Sequence, residues 1–561
     1  MAIITEQLPN EPLFHHLLQL FTAHPHHVLI HDPKNGVEAD YSQLLTDILH
    51  MRQQIYQAIP TSMFDSERRI NPERPFIIIL APGNYDYIVA ALAILACGGA
   101  LAPICSKLTP EEVCHLLEIT NTPCMLVSSY FESQGAQIER FCATRDKLRQ
   151  PASIIPITFS NAPAAAKLQI GTNPGMTMDP TSPGALIFTS GTSGPPKGVV
   201  RPRSVWYNNP LCFPSNHVVL AYRSPHWVGV ALGLVRQALA GTRAEVIEDY
   251  PREMWESFRN SRVSGFAAPP RTYAKLMMYF RSHIDILPVE QRSQYVKGVR
   301  ALETMSVSGG VIWPTVMEFW TELLGRPLKN IYGSTELTLA TATTVDTDSS
   351  LARCIGKPYQ GVQIKLSEGD HGEILLKSST MFTHYLGDEA ATRAAFDEEG
   401  YYKTGDFGRL VGDQYVIDGR SSTDFIRYRG LRVPIHEVEA RLVELPYIAE
   451  AYIVPASFNY MRQIAAIVRL QSPKSTVTLS QIRADLQNKL ERYKLPTLLR
   501  ILQNNEQISE TTSGKPLRRK IMEDYVLLPE EGPLPTGLEF CDTAIQAAKS
   551  PVKAWDWGGM I

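Results

Sequence analysis

The stretch Arg74–Ile104, "RPFIIILAPGNYDYIVAALAILACGGALAPI", limits the fold more than any other. Ile88–Cys105 carries no charge over 18 residues, a marginal length for a membrane span. Gly98–Gly99 and Pro103 interrupt it, and a short β-branched run precedes it. The pattern predicts a strand over Phe76–Leu80, a turn, a buried helix over Tyr85–Cys97, a glycine stop and a second strand. A helix apolar on every side must be covered on every side. The expectation is therefore a β-α-β unit inside an α/β core, not a membrane segment.

At 561 residues the chain exceeds what one core can organise. Its 54 basic and 57 acidic residues give a net charge of −3, which offers no electrostatic reason for nucleic acid as a partner. From residue 75 to 420 short β-branched runs ("CMLVSS", "SIIPITFS", "ALIFTS", "HVVLAY") alternate with helical stretches. From residue 424 to 525 there is a smaller unit, with strand-like "EAYIVPA" and "QIAAIVRL" and helix-like "IHEVEARLVEL" and "LSQIRADLQNKLERY". These patterns predict an N-terminal domain over 1–420, a C-terminal domain over 421–525 hinged near Arg420–Asp424, and an irregular tail over 526–561. The cysteines have no C-x-x-C spacing and read as buried reduced thiols. His15, His16, His24, His26 and His27 have no nearby acidic or cysteine partner and read as a solvated helix face. "MAIITEQLPNEPLF" lacks a basic start followed by an apolar stretch, and "GGMI" is not a Ser-Lys-Leu signal, so a cytoplasmic location is expected.

One loop carries chemistry. "TSGTSGPPKG", Thr189–Gly198, holds three glycines, four hydroxyls, two prolines and one lysine directly after the apolar "GALIF". Glycine lets backbone N–H groups converge on an anion, hydroxyls add donors, and Lys197 adds a mobile charge. That combination suits a polyphosphate. No glycine sits directly before Lys197, so the Walker pattern G-x-x-x-x-G-K-[ST] fails.

The loop instead resembles the signature of the adenylate-forming superfamily of acyl-CoA synthetases, adenylation domains and luciferases. Four more stretches occur in that family's order. "IYGSTELT" (Ile331–Thr338) resembles its Tyr-Gly-x-Thr-Glu motif, and "YYKTGDFGRL" (Tyr401–Leu410) its Thr-Gly-Asp motif. "GRSSTDFIRYRGLRVPIHEVE" (Gly419–Glu439) resembles the hinge motif, and "TTSGKPLRRK" (Thr511–Lys520) the C-terminal lysine motif. The resemblance implies an α/β fold: a large N-terminal domain of stacked α/β sheets with a smaller, mobile α+β C-terminal domain. It also implies two steps. A carboxylate attacks the α-phosphate of ATP to give an acyl-adenylate and pyrophosphate, and a thiol then takes the acyl group.

By the same resemblance, Lys515 bridges the carboxylate and the α-phosphate. Lys197 and the backbone of Thr189, Ser190, Gly191, Thr192, Ser193 and Gly194 cradle the departing pyrophosphate. Glu336 would hold Mg2+, and Thr335 would bond the α-phosphate. Asp406 would take the ribose hydroxyls with Arg420 beside it. Ser308, Gly309 and Gly310 would line the adenine, Tyr332 would stack on it, and Gly333 and Ser334 complete that wall. His226 and Trp227 would border the acyl site together with Gly309 and Gly333, and Gly430 would flank a thiol tunnel. Arg271 reads either as an anchor for a second substrate carboxylate or as an exposed helix-start residue. The hinge departs from the family pattern: Ser421, Ser422 and Thr423 precede Asp424, so the pivot is either shifted or replaced. The expected co-substrates are a small carboxylic acid and CoA. The alternatives are a separate carrier protein or an amine or alcohol acceptor, and, from another class, a non-enzymatic nucleotide binder. The mainly apolar pocket stretches suggest an aliphatic or aromatic acid.

Overall fold

The computed structural model describes residues 4–541 except 123, 145–152, 161–167, 190–196, 208–216, 311, 313, 338–339, 344–352, 421–424, 429–430, 459–460, 473–475, 504, 511–515 and 529–532. The β-α-β unit lies where its sequence places it. Strand Phe76–Leu80 is buried along its whole length and pairs in parallel with Ala100–Pro103. Between them, the Asn84 side chain accepts from the Asp86 N–H and caps the helix Tyr85–Ala96, whose twelve residues are all buried. Gly98, at φ +76°, turns the chain back into the sheet in a conformation that side chains rarely adopt.

Among the described residues this unit belongs to a seven-stranded sheet. Its order runs His384–Tyr385, Gly198–Pro202, Pro183–Phe188, Ala100–Pro103, Phe76–Leu80, Cys124–Val127, Ser153–Pro156. The helix Tyr85–Ala96 packs between it and a thirteen-stranded sheet, against the helices Tyr41–Ala58 and Val228–Leu239. The parallel part of that second sheet is Val28–Asp32, Arg243–Val246, Val218–Ala221, Gly265–Ala268, Thr304–Ser308 and Lys329–Tyr332. Pairing turns antiparallel at Thr341–Ala342 and continues through Cys354–Pro358 to Gln414–Arg420 and Tyr402–Val411. The two sheets approach closely. A Cβ on Gly83, just past Phe76–Leu80, would lie 2.0 Å from the Arg223 carbonyl oxygen, just past Val218–Ala221.

A separate four-stranded sheet joins Ile448–Phe458, Met461–Leu470, Leu498–Ile501 and Leu538–Phe540, with helices Ile435–Val443 and Arg518–Tyr525 against it. Leu538–Phe540 corrects the expectation of an irregular tail. It pairs antiparallel with Leu498–Ile501, and Val526 is buried in the same core. Its short alternating apolar stretch is too brief to register as a strand before the neighbouring edge supplies its hydrogen bonds. Among the described residues no helix is long and apolar enough to cross a membrane.

Candidate functional site

Parallel strands all end at one edge of the sheet, and the loops leaving those ends form the crevice where open α/β sheets take ligands. Ser308 is in register with Ile331 on the neighbouring strand. Ser308–Gly310 and Tyr332–Glu336 therefore leave the sheet side by side. Arg223 and His226 come just after Val218–Ala221, and Arg271 just after Gly265–Ala268, at the same edge. The antiparallel return brings Asp406 to this edge: the Tyr332 hydroxyl donates to Asp406 Oδ2 at 2.6 Å. Across the Asp406 strand, residue 420 is the register partner of Asp406.

The hairpin Pro183–Phe188/Gly198–Pro202 carries the glycine-rich loop. Its neck is closed twice, by Thr189 N–H donating to the Lys197 carbonyl at 3.0 Å and Lys197 N–H donating to Thr189 Oγ1 at 3.0 Å. Lys197 is exposed, with its Nζ 4.8 Å from the centre of the Tyr385 ring. The Tyr385 hydroxyl in turn donates to Glu336 Oε1 at 3.0 Å. Register explains the meeting, because Tyr385 pairs with Val199, two residues past the lysine. Glu336 is 8% exposed, and its carbonyl accepts from the Phe382 N–H at 2.8 Å. Next to it, the fully buried Arg201 donates to the Thr335 carbonyl at 2.8 Å and also to the Thr380 carbonyl. Burial, with Arg236 nearby, pushes the Arg201 pKa down to about 9, while Glu336 acts in the opposite direction.

The acyl-side residues also meet. His226 Nδ1 lies 2.8 Å from Ser224 Oγ, and its ring centre is 5.5 Å from that of Trp227. Burial, reinforced by Arg223 and Lys107, lowers the His226 pKa to about 4, so its imidazole is neutral near pH 7. The other ring nitrogen, Nε2, is buried with no hydrogen-bond partner among the described residues. Arg223 stacks over Trp227, its Cζ 4.5 Å from the ring centre.

Sequence reasoning does not single out Tyr385, Arg201 or Arg223. Tyr385 sits in "HYLGDEAAT" as an ordinary aromatic, and Arg201 in "VVRPRS" reads as an exposed charge. Only the pairing of Val199 with Tyr385 and the burial of Arg201 reveal them. Arg271, for which one expectation is a substrate anchor, donates instead to the Glu510 carboxylate. Ser190, Gly191, Thr192, Ser193, Gly194, Gly430 and Lys515 lie outside the described residues, as does the side chain of Arg420.

The residues fit a nucleotide and its cation. Ser334 Oγ is buried with no partner among the described residues, beside Thr335 and Glu336, an orphaned donor that a phosphate oxygen would satisfy. No group of three or more His, Cys, Asp or Glu side chains suited to a metal occurs among the described residues. Glu336 supplies one carboxylate, which suffices for Mg2+ completed by phosphate oxygens and water.

Residues 67–386 match the family model for AMP-binding enzymes. The acyl-CoA ligase oryP of Aspergillus oryzae is 34% identical over 92% of this chain and 93% of its own length. A malonate–CoA ligase of Arabidopsis thaliana is 26% identical over 79% of this chain and 77% of its own. The fold is that of ATP-bound MatB from Rhodopseudomonas palustris, with a TM-score of 0.73 at 17% identity over 91% of this chain and 98% of that one. The AMP-bound o-succinylbenzoate CoA synthetase of Bacillus subtilis gives 0.72 at 20% identity over 94% and 99%.

Proposed function

The chain belongs to the AMP-binding enzyme family, and we propose the residues through which it works. It is an AMP-forming acid–thiol ligase. It condenses a carboxylic acid with ATP, releases pyrophosphate and passes the acyl group to CoA. Adenylation is assigned to one face, built on residues 1–420, and the swing to thioester formation to residues 421–525.

The observation that carries the assignment is the line of contact from Lys197 through Tyr385 to Glu336, next to the Tyr332–Asp406 pair. A cation lies over the ring of one tyrosine whose hydroxyl donates to a carboxylate. Lys197 and the Thr189–Gly194 backbone take the β- and γ-phosphates and neutralise the leaving pyrophosphate. Glu336 holds Mg2+, which when bound screens the phosphate charge against the incoming carboxylate. Ser334 and Thr335 offer hydroxyls to the α-phosphate, and Asp406 and Arg420 hold the ribose. Ser308, Gly309, Gly310, Tyr332 and Gly333 form the adenine slot. His226 stays neutral near pH 7 and so can border the substrate carboxylate without titrating there. Lys515 aligns that carboxylate on the α-phosphate, and Gly430 borders the path of the CoA thiol.

Arg223 has no hydrogen bond or ion pair among the described residues and stands beside His226 and Trp227. The acids to test therefore run from aliphatic and aromatic monocarboxylates to malonate and longer dicarboxylates. Pyrophosphate release is measured for each acid, followed by CoA consumption and product mass. A thioester of one acid is expected. Pyrophosphate release without a CoA product would remove CoA as acceptor, and no release with any acid would remove adenylation.

A further inference from the structure

Arg271 stands at the carboxyl edge of the large sheet, beside the proposed adenine slot. A Cβ on Gly310 would lie 3.5 Å from the ring of Pro270. The Arg271 guanidinium reaches across to the small unit and pairs with the Glu510 carboxylate. Glu510 is not an arbitrary surface acid. Its backbone forms an antiparallel bridge with Pro516, and the Leu517 N–H donates to the Ser509 carbonyl at 2.9 Å. The residues that bracket 511–515 are therefore fixed to one another, and Lys515 is bonded directly to one of them.

The far side of this neck is held within the small unit. Arg518 donates to the Ile453 carbonyl at 2.9 Å and pairs with Glu439. Among the described residues the neck thus has an anchor inside its own core, through Arg518, and a second contact on the large unit, through Glu510. The second is open to water, with side-chain exposures of 48% for Arg271 and 26% for Glu510, so it is weak enough to be made and released.

We infer that Arg271 and Glu510 are positioning residues for adenylation, clamping the Glu510–Pro516 bridge to the carboxyl edge of the large sheet. This rests on the role given to Lys515 above. The acyl-adenylate is already activated, so its reaction with CoA has no need of that alignment. The clamp therefore serves one half-reaction.

The test uses the full chain with Arg271→Glu, Glu510→Arg and the double reversal, and the acid that gives the highest pyrophosphate release. ATP–pyrophosphate exchange is expected to fall by about 3- to 10-fold in each single variant, because charge reversal removes a surface ion pair and adds a repulsion of similar size. Exchange recovers in the double reversal. Thioester formation from supplied acyl-adenylate and the melting temperature stay unchanged throughout. Equal loss of both half-reactions, unchanged exchange in the single variants, or no recovery in the double reversal each overturns the clamp. Lys515→Ala separates the two layers. If it retains exchange, the reading of Lys515 falls and the clamp with it. If it loses exchange while Arg271→Glu does not, the clamp alone falls.

Discussion

Tyr385 shows how much one buried hydroxyl can decide. It is 6% exposed, its ring faces the Lys197 ammonium and its hydroxyl donates to Glu336. Replacing it with Phe keeps the ring and leaves the carboxylate without that donor. A hydrogen bond to a charged group is worth about 1.5–3 kcal/mol, so Tyr385→Phe should slow pyrophosphate release by roughly 10- to 100-fold. The loss should be partly recovered by raising Mg2+, which competes for the freed oxygen. A release rate equal to that of the wild type would remove Tyr385 from the site. Glu336 and Lys197 were legible because each sits in a short motif whose neighbours advertise it. Tyr385 was not legible, because its role comes from a partner 188 residues back along the chain.

At the scale of elements, the small unit is tied together by a helix-to-helix ion pair. Glu439, on helix Ile435–Val443, accepts from the Ile453 N–H at 2.8 Å and pairs with Arg518 at the start of helix Arg518–Tyr525. Burial alone would raise its carboxyl, but Arg518 and His436 overcome this and hold it down to about 2, against an ordinary 4.5. A folded pKa below the unfolded one gives stability that is complete above about pH 4.5 and lost as pH falls towards 2. The shift corresponds to roughly 3 kcal/mol. Glu439→Gln should therefore lower the melting temperature at pH 7 and flatten its dependence on pH between about 5 and 3. A variant as acid-sensitive as the wild type would refute this. The first helix was visible as an amphipathic stretch in "IHEVEARLVEL", but its pairing with Arg518–Tyr525 was not, since periodicity reports a buried face and not what covers it.

Across the whole molecule, one buried ion pair ties the N-terminal segment to the sheet that carries the glycine-rich loop. Glu11, at the start of helix Pro12–Ala23, receives two bonds from Arg203, at 2.7 and 2.6 Å, and one from the Tyr207 hydroxyl at 2.7 Å. Arg203 also donates to the Gly99 and Leu95 carbonyls, at the end of the central β-α-β unit. Both partners are almost wholly buried, at 0% and 1% side-chain exposure. Glu11→Ala leaves a guanidinium uncompensated and should cost about 3–5 kcal/mol. The expected result is a lower melting temperature with the order of half-reactions unchanged. A melting temperature within about a degree of wild type would show that the pair contributes nothing net. The sequence by itself determined the β-α-β core and the ATP motifs, because apolar runs, glycine stops and phosphate loops act through residues adjacent in the chain. Only the tertiary structure decided that Arg271 faces Glu510, that Tyr385 lies between Lys197 and Glu336, and that Glu11 is matched to Arg203. Each of these joins side chains far apart in sequence, and such contacts exist only once strand register and sheet packing have fixed which surfaces meet.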